Sequence, residues 1–362
     1  MAERTHSVEL LKVCLETCNA ALDHISNKNT RALENNGDPR PSLAVIHKDF
    51  ISLLSLIYAS TTKLALVLKP SSPTYSAAVT PLNDLIKHIS ALSHCVKLFS
   101  PDEDGSVLTQ EASDVATGVI EAMKAFLKAL SEAGQSGEYL VRVGTIHDLI
   151  ETARSSSGLS KDNISAVRKK WIEDTEPLED GVRELKELID NAGDDEGDDG
   201  WDELGLEPDV PLSEKEADRA SKVHLVLRLS ALLHKKISSD ILGHSPDTNI
   251  PSYPVLDQMP SLSRTLLSVA DELIAAAHSP QDCSALRDNL CDLEGVLKDV
   301  NTLIGQFFPE VSVEEGIGGL SLKDGEPGKR IVKKKKWFNG CSEQLDKAIR
   351  TAEATLSDPE VQ

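Results

Sequence analysis

Residues Leu286 to Phe307 read LRDNLCDLEGVLKDVNTLIGQF, and the apolar positions Leu286, Leu290, Leu293, Leu297, Val300, Ile304 and Phe307 recur at alternating steps of 4 and 3. An α-helix turns once in about 3.6 residues, so these seven side chains line one face; a strand would need alternation instead. The stretch therefore predicts a long amphipathic helix. Leu293, mid-stripe, is a predicted core residue.

The same period extends outward in both directions. Val226, Leu229, Leu233, Ile237 and Ile241 share one face, and Leu262, Leu266, Val269 and Leu273 another. A last helix is expected from about Lys334 to Leu356, which makes four helices and one bundle. Ser213 and Glu216 have the spacing of a capping box, and Ser279-Pro280 offers a helix start. On the N-terminal side, Val8, Leu11, Leu15, Cys18, Leu22 and Ile25 open a first helix. Ile46, Phe50, Leu53 and Ile57 mark a second, Val79, Leu82, Ile86 and Ile89 a third, and Val115, Val119, Ala122 and Phe126 a fourth. Two more are expected over Tyr139–Ala153 and Asn163–Ala192. Lys69-Pro70 ends the second, because proline disfavours α geometry in the residue before it. Ser72-Pro73 and Ser100-Pro101 have the form of an N-cap hydroxyl followed by a first-turn proline.

Gly193–Pro211 breaks the period. It holds nine acidic residues and no basic one. Its charges repel and its glycines make ordering costly, so it reads as a flexible linker. The expected fold is all-α: two antiparallel helical bundles, residues 1–192 and 212–362, joined by the acidic linker 193–211. A Gly-rich, basic loop is expected at 309–336.

Composition agrees. The 362 residues are 40% apolar but only 4% aromatic, so aliphatic side chains must fill the cores, as suits helix ridges packed into grooves. The net charge is -21, with 59 acidic residues against 38 basic. Binding of bulk nucleic acid is disfavoured, because it needs cations that displace phosphate counterions. The N-terminus has no apolar signal core, and no run of about 18 apolar residues suggests a membrane span. Six scattered cysteines without a CxxC pair suggest a reducing compartment, where the sequon Asn163-Ile-Ser165 would not meet its enzyme.

Catalytic signatures are not met. Gly325-Glu-Pro-Gly-Lys-Arg330 has a misplaced first glycine for a phosphate loop, and Arg330 where a magnesium-binding hydroxyl belongs. Gly316-Ile-Gly-Gly319 lacks a preceding strand, and neither HExxH nor GxSxG occurs. The ten histidines do not cluster at metal spacing. Cys14 and Cys18 lie one turn apart on or beside an apolar stripe, and with Cys283 and Cys291 they are expected to pack as small hydrophobes. No catalytic residue, cofactor or metal ligand is expected.

Two charged segments stand out. Lys329, Arg330, Lys333, Lys334, Lys335 and Lys336 place six cations in eight residues, either a solvated helix start or a patch for nuclear import or an acidic partner. Within the acidic segment, Trp201 and Leu204 sit among Asp198, Asp199, Asp202 and Glu203, which reads either as a solvated linker or as a docking motif that orders on binding.

The layout of six helices, an acidic interruption and four helices resembles the cyclin-D-binding protein family, also known as GCIP, the Grap- and cyclin-D-interacting proteins. The strongest local likeness is Ile57-Tyr-Ala-Ser-Thr-Thr-Lys-Leu-Ala-Leu-Val-Leu68 leading into Lys69-Pro-Ser-Ser-Pro73. Others are Leu159-Ser-Lys-Asp-Asn163, Arg219-Ala-Ser-Lys222 and Leu232-Leu-His-Lys-Lys236. The resemblance implies a non-enzymatic regulator of cell-cycle entry or transcription. Its partners would be cyclin-like or transcription-associated proteins, and it would be found in cytoplasm and nucleus. A cytoskeletal or trafficking adaptor of the vinculin or talin type would use similar helices, and an enzyme with an unfamiliar helical site is the third reading.

Overall fold

The computed structural model describes residues 2–27, 40–69, 71–131, 138–192, 211–243, 251–308 and 327–356, with side chains from 330 onward in the last stretch. The expected linker and its six candidate residues Asp198, Asp199, Trp201, Asp202, Glu203 and Leu204 lie outside the described residues. Every regular element among the described residues is α-helical, as the 4-3 spacing requires. The chain divides into two compact units, Met1–Ala166 and Val167–Gln362.

The first unit contains α1 (Ala2–Ser26), α2 (Leu43–Val67), α3 (Tyr75–Val96), a single turn α4 (Pro101–Asp104), α5 (Ser106–Ser131) and α6 (Glu138–Arg154). Packing runs from α1 to α3, α2, α6, α5 and back to α1, so five long helices close a ring. Phe50, Leu54, Ile57, Leu82, Leu85, Ile89, Ile120 and Phe126 fill its interior and are fully buried. Burying an aliphatic or aromatic side chain of this size contributes about 1.5–3 kcal/mol. α2 is long and apolar enough, by length and composition, to cross a membrane, with a mean hydropathy of 1.6. That differs from the expectation of no such segment. In the fold its inner stripe, Ile46, Phe50, Leu54, Ile57 and Leu64, belongs to the bundle core.

α7 (Asn163–Glu173) carries the chain across the division. The second unit then has α8 (Thr175–Asp190), α9 (Glu214–Asp240), the single turn α10 (Tyr253–Leu256), α11 (Met259–Ala276), α12 (Cys283–Gly305) and α13 (Pro327–Leu356). Its ring runs α8, α9, α13, α12, α11 and back to α8. The helix quoted at the outset is α12, and six of its seven stripe residues together with Phe307 just beyond it are buried, Leu293 completely.

Three features differ from the sequence expectation. The segment Asn163–Ala192 is two helices, broken at Asp174. Pro177 sits in the first turn of α8, where its missing N–H costs no hydrogen bond; further into a continuous helix it would. These helices were expected in the N-terminal bundle, but α8 packs on α9 and α11, so the C-terminal bundle has five helices rather than four. α8 comes close to α11 at Gly181, where a Cβ would lie 2.7 Å from the movable Cδ1 of Ile274. Finally, α13 begins at Pro327, so the residues before Lys334, expected in a loop ahead of the last helix, are already helical. Lysine and arginine are good helix formers, and proline is well placed in a first turn.

The capping box of Ser213 and Glu216 is formed. α12 is capped one turn later than Ser279-Pro280 suggests, by Asp282, whose carboxylate accepts from the Ser284 and Ala285 amides. Asn163 is buried, and its Oδ1 accepts the Leu108 N–H at 3.0 Å, which ties it to the first turn of α5.

Candidate functional site

The arrangement closest to chemistry lies inside the second unit. Ser263 Oγ donates to Asp174 Oδ2 at 2.7 Å and lies 2.8 Å from His234 Nε2. With the hydroxyl proton turned to the carboxylate, Nε2 must be the donor to Ser263 and Nδ1 the acceptor, here from Thr175 Oγ1 at 3.3 Å. The imidazole stacks on Trp171 with centroids 4.5 Å apart, and Trp171 Nε1 donates to the His234 carbonyl at 3.0 Å. Arg264 completes the set with an ion pair to Asp174 at 3.1 Å.

This is a serine, a histidine and an aspartate, but not a nucleophile with its base. A general base must take the serine proton; here that proton points away from the imidazole. Burial lowers the His234 pKa to about 4, so the ring is neutral at pH 7. Ser263, His234 and Asp174 are 1%, 1% and 2% exposed, so no substrate reaches them. The network joins α8, α9 and α11 at the point where α7 turns into α8. Its chemistry is that of a satisfied buried polar cluster, which stabilises one packing arrangement.

The cysteines divide. Cys14 and Cys18 are fully buried, as expected. The Cys14 thiol is pushed up by its hydrogen bond to Cys18 and by burial, so it stays protonated. Cys283 is half-buried and Cys291 exposed, contrary to the expectation that both pack in the core. Cys291 follows the buried Leu290 by one residue, about 100° around the helix and off the stripe.

Two shallow hollows lie on the second unit. One, of about 520 Å³, is lined by Glu343, Asp346, Lys347 and Arg350 of α13. The other, of about 350 Å³, is lined by Glu184, Asp271 and His278 beside Ile274 and Ala275. Desolvation and the nearby Glu184 raise the Asp271 pKa, and His278 Nε2 lies 3.5 Å from Glu184. Neither hollow reaches the buried network.

Surface features are more distinctive. On the first unit, Val45, Leu56 and Leu66 of α2 and Leu140, Val141 and Leu149 of α6 are exposed apolar side chains. On the second unit the predicted basic run gathers company. Lys334 Nζ donates to the Asp240 carbonyl at the end of α9 at 2.9 Å, and Arg168 Nε donates to the Ser238 carbonyl at 3.1 Å. Lys236 Nζ lies 5.8 Å from the centre of the Trp337 ring. Cations are stabilised near the negative end of a helix dipole, and here two separate elements deliver them to the end of α9. Sequence reasoning found the run Arg330 to Lys336 but missed Arg168, Lys169, Lys170, Lys235 and Lys236. Their charges were visible, but their convergence is a property of the tertiary fold.

Two helical rings with apolar interiors and charge gathered outside define a helical-bundle scaffold. Residues 49–191 match the family described as Grap2 and cyclin-D-interacting, N-terminal, and residues 197–302 match the corresponding C-terminal description. The chain belongs to the Grap2 and cyclin-D-interacting family. No curated protein matches it.

Proposed function

We propose that the protein is a non-enzymatic interaction module that regulates cell-cycle progression or transcription by binding cyclin-like or other regulatory proteins. The observation that carries this reading is the family match over both parts of the chain, a family whose description is interaction with Grap2 and cyclin D. The fold supports it. Long helices packed in closed rings present extended, rigid faces, which suit docking of partner helices. The exposed apolar side chains of α2 and α6 supply such a face. The acidic segment offers a second mode, with Asp198, Asp199, Asp202 and Glu203 steering basic partners and Trp201 and Leu204 anchoring them. The proposed location is cytoplasm and nucleus. Import would depend on the run from Lys329 to Lys336, whose helical residues must unwind for a receptor that reads extended chain.

The test is affinity purification of the tagged full-length chain. Cyclin-like or transcription-associated proteins should be enriched over a tag-only control. Enrichment of actin-associated proteins instead would favour a cytoskeletal adaptor. For the captured partner, Trp201→Ala should raise the dissociation rate at any salt concentration. Neutralising the four carboxylates should mainly slow association at low salt.

A further inference from the structure

The basic end of α9 is out of keeping with a chain of net charge -21. Arg168 of α7, next to Lys169 and Lys170 in the chain, donates to the Ser238 carbonyl; α9 itself carries Lys235 and Lys236; and Lys334 of α13, within the run Lys333 to Lys336 and one turn from Arg330, donates to the Asp240 carbonyl. Some are engaged. Lys170 pairs with Glu173 at 3.1 Å, Lys235 with Glu179 at 2.8 Å and Lys236 with Asp240 at 3.0 Å. Lys333, Lys335 and Lys336 have no ion-pair partner among the described residues, and Lys333 and Lys336 are exposed. Lys334 is level with Asp240, the last residue of α9. The six residues of α13 before Lys333 therefore extend roughly 9 Å past that end, at about 1.5 Å per residue. They carry Arg330 and an exposed Val332.

We propose that this end of the second unit is a receptor for an acidic peptide segment supplied by a partner protein. It deepens the interaction reading, because it names a surface and the chemistry it accepts, but it does not depend on the partner being cyclin-like. A narrow ligand fits better than a broad one. Glu173, Glu179 and Asp240 are interleaved with the cations, so a bilayer or a duplex would face both signs at once. An extended peptide with several carboxylates can pass over the exposed Lys333 and Lys336, three residues apart on one side of α13, while avoiding those acidic groups. Its carboxylates would lie within the roughly 8 Å over which exposed charges act at physiological ionic strength. Val332 would give it one apolar contact.

The chain carries an acidic sequence of this kind itself, residues 193–210, which supplies a model ligand.

The test uses a synthetic peptide of residues 193–210 as a model acidic ligand, titrated into the full-length protein. Binding should be measurable at low salt and weaken by about tenfold at several-fold higher salt, as for an exposed charge interface. The triple variant Lys333→Glu, Lys335→Glu, Lys336→Glu should abolish it. The milder pair Lys333→Gln, Lys336→Gln, at exposed positions, should weaken it several-fold without disturbing the fold. Lys347→Glu, three turns further along α13, should leave it intact. No peptide binding by the parent protein overturns the proposal, as does equal binding by the Gln pair. So does a preference for phosphatidylserine vesicles or duplex DNA over the peptide. If affinity purification yields no regulatory protein while the peptide still binds, the regulatory reading fails and this one stands. The converse result sinks only the acidic-peptide receptor.

Discussion

Leu293 shows how far a single residue could be read in advance. Its place in the stripe predicted burial, and it is fully buried. Leu293→Ala should destabilise the second unit by about 2–5 kcal/mol, from lost transfer energy plus the cavity left behind, measurable by chemical denaturation. An unchanged midpoint would mean the stripe is not a core. His234, by contrast, carried no signal, because its partners Asp174, Thr175 and Ser263 are distant in sequence. Its pKa falls from the ordinary 6.5 to about 4 through burial. Below pH 6.5 the unfolded chain binds a proton that the folded ring refuses. Stability is therefore full above about 6.5 and lost as pH falls towards about 4. Each tenfold loss of proton affinity on folding corresponds to about 1.4 kcal/mol, so the contribution is of the order of 3 kcal/mol. His24, His88, His147 and His224 are lowered chiefly by burial and add in the same direction. His234→Gln should make the unfolding free energy visibly less steep between pH 6.5 and 4; an identical pH profile would contradict a buried neutral imidazole.

At the scale of the element, α8 is the instructive case. Its periodicity was legible, but not its neighbours. An amphipathic stripe says that a helix is covered, and nothing in a stripe names the helix that covers it. Proximity in sequence placed α8 with the N-terminal bundle; Leu178, Gly181 and Leu185 place it in the C-terminal ring. The small contact at Gly181 makes a prediction. Gly181→Ala should be nearly neutral, because its new methyl displaces the rotatable Cδ1 of Ile274, meets Asp271 Oδ1 at an ordinary 3.9 Å, and alanine favours the helix. Gly181→Leu should destabilise by about 1–3 kcal/mol through overpacking against α11. Equal stability of the two variants in thermal unfolding would show that α8 does not approach α11 closely. α13 was misread at its start for a different reason: six cations in eight residues suggest solvation, but lysine-rich sequence is also good helix, and Pro327 suits a first turn.

For the whole molecule, the helical class, the two-part division and the family were all legible in the spacing and the short likenesses. The division point was not, because it depends on long-range packing. That difference can be tested by cleavage. Protease is expected to cut first near residues 197–205, within the acidic segment. The structure requires the two fragments to stay together afterwards, since α8 lies before the cut and its ring partners after it. The fragments should co-elute in native gel filtration and separate only in denaturant. Separation under native conditions would restore a boundary at residue 192. The functional reading rests on binding rather than turnover, and one measurement bears on it most directly: quantitative mass spectrometry of proteins captured by the tagged full-length chain at physiological salt. Cyclin-like or transcription-associated regulators should be enriched well above the tag-only control. Enrichment confined to actin-associated proteins, or no difference from the control, would contradict it.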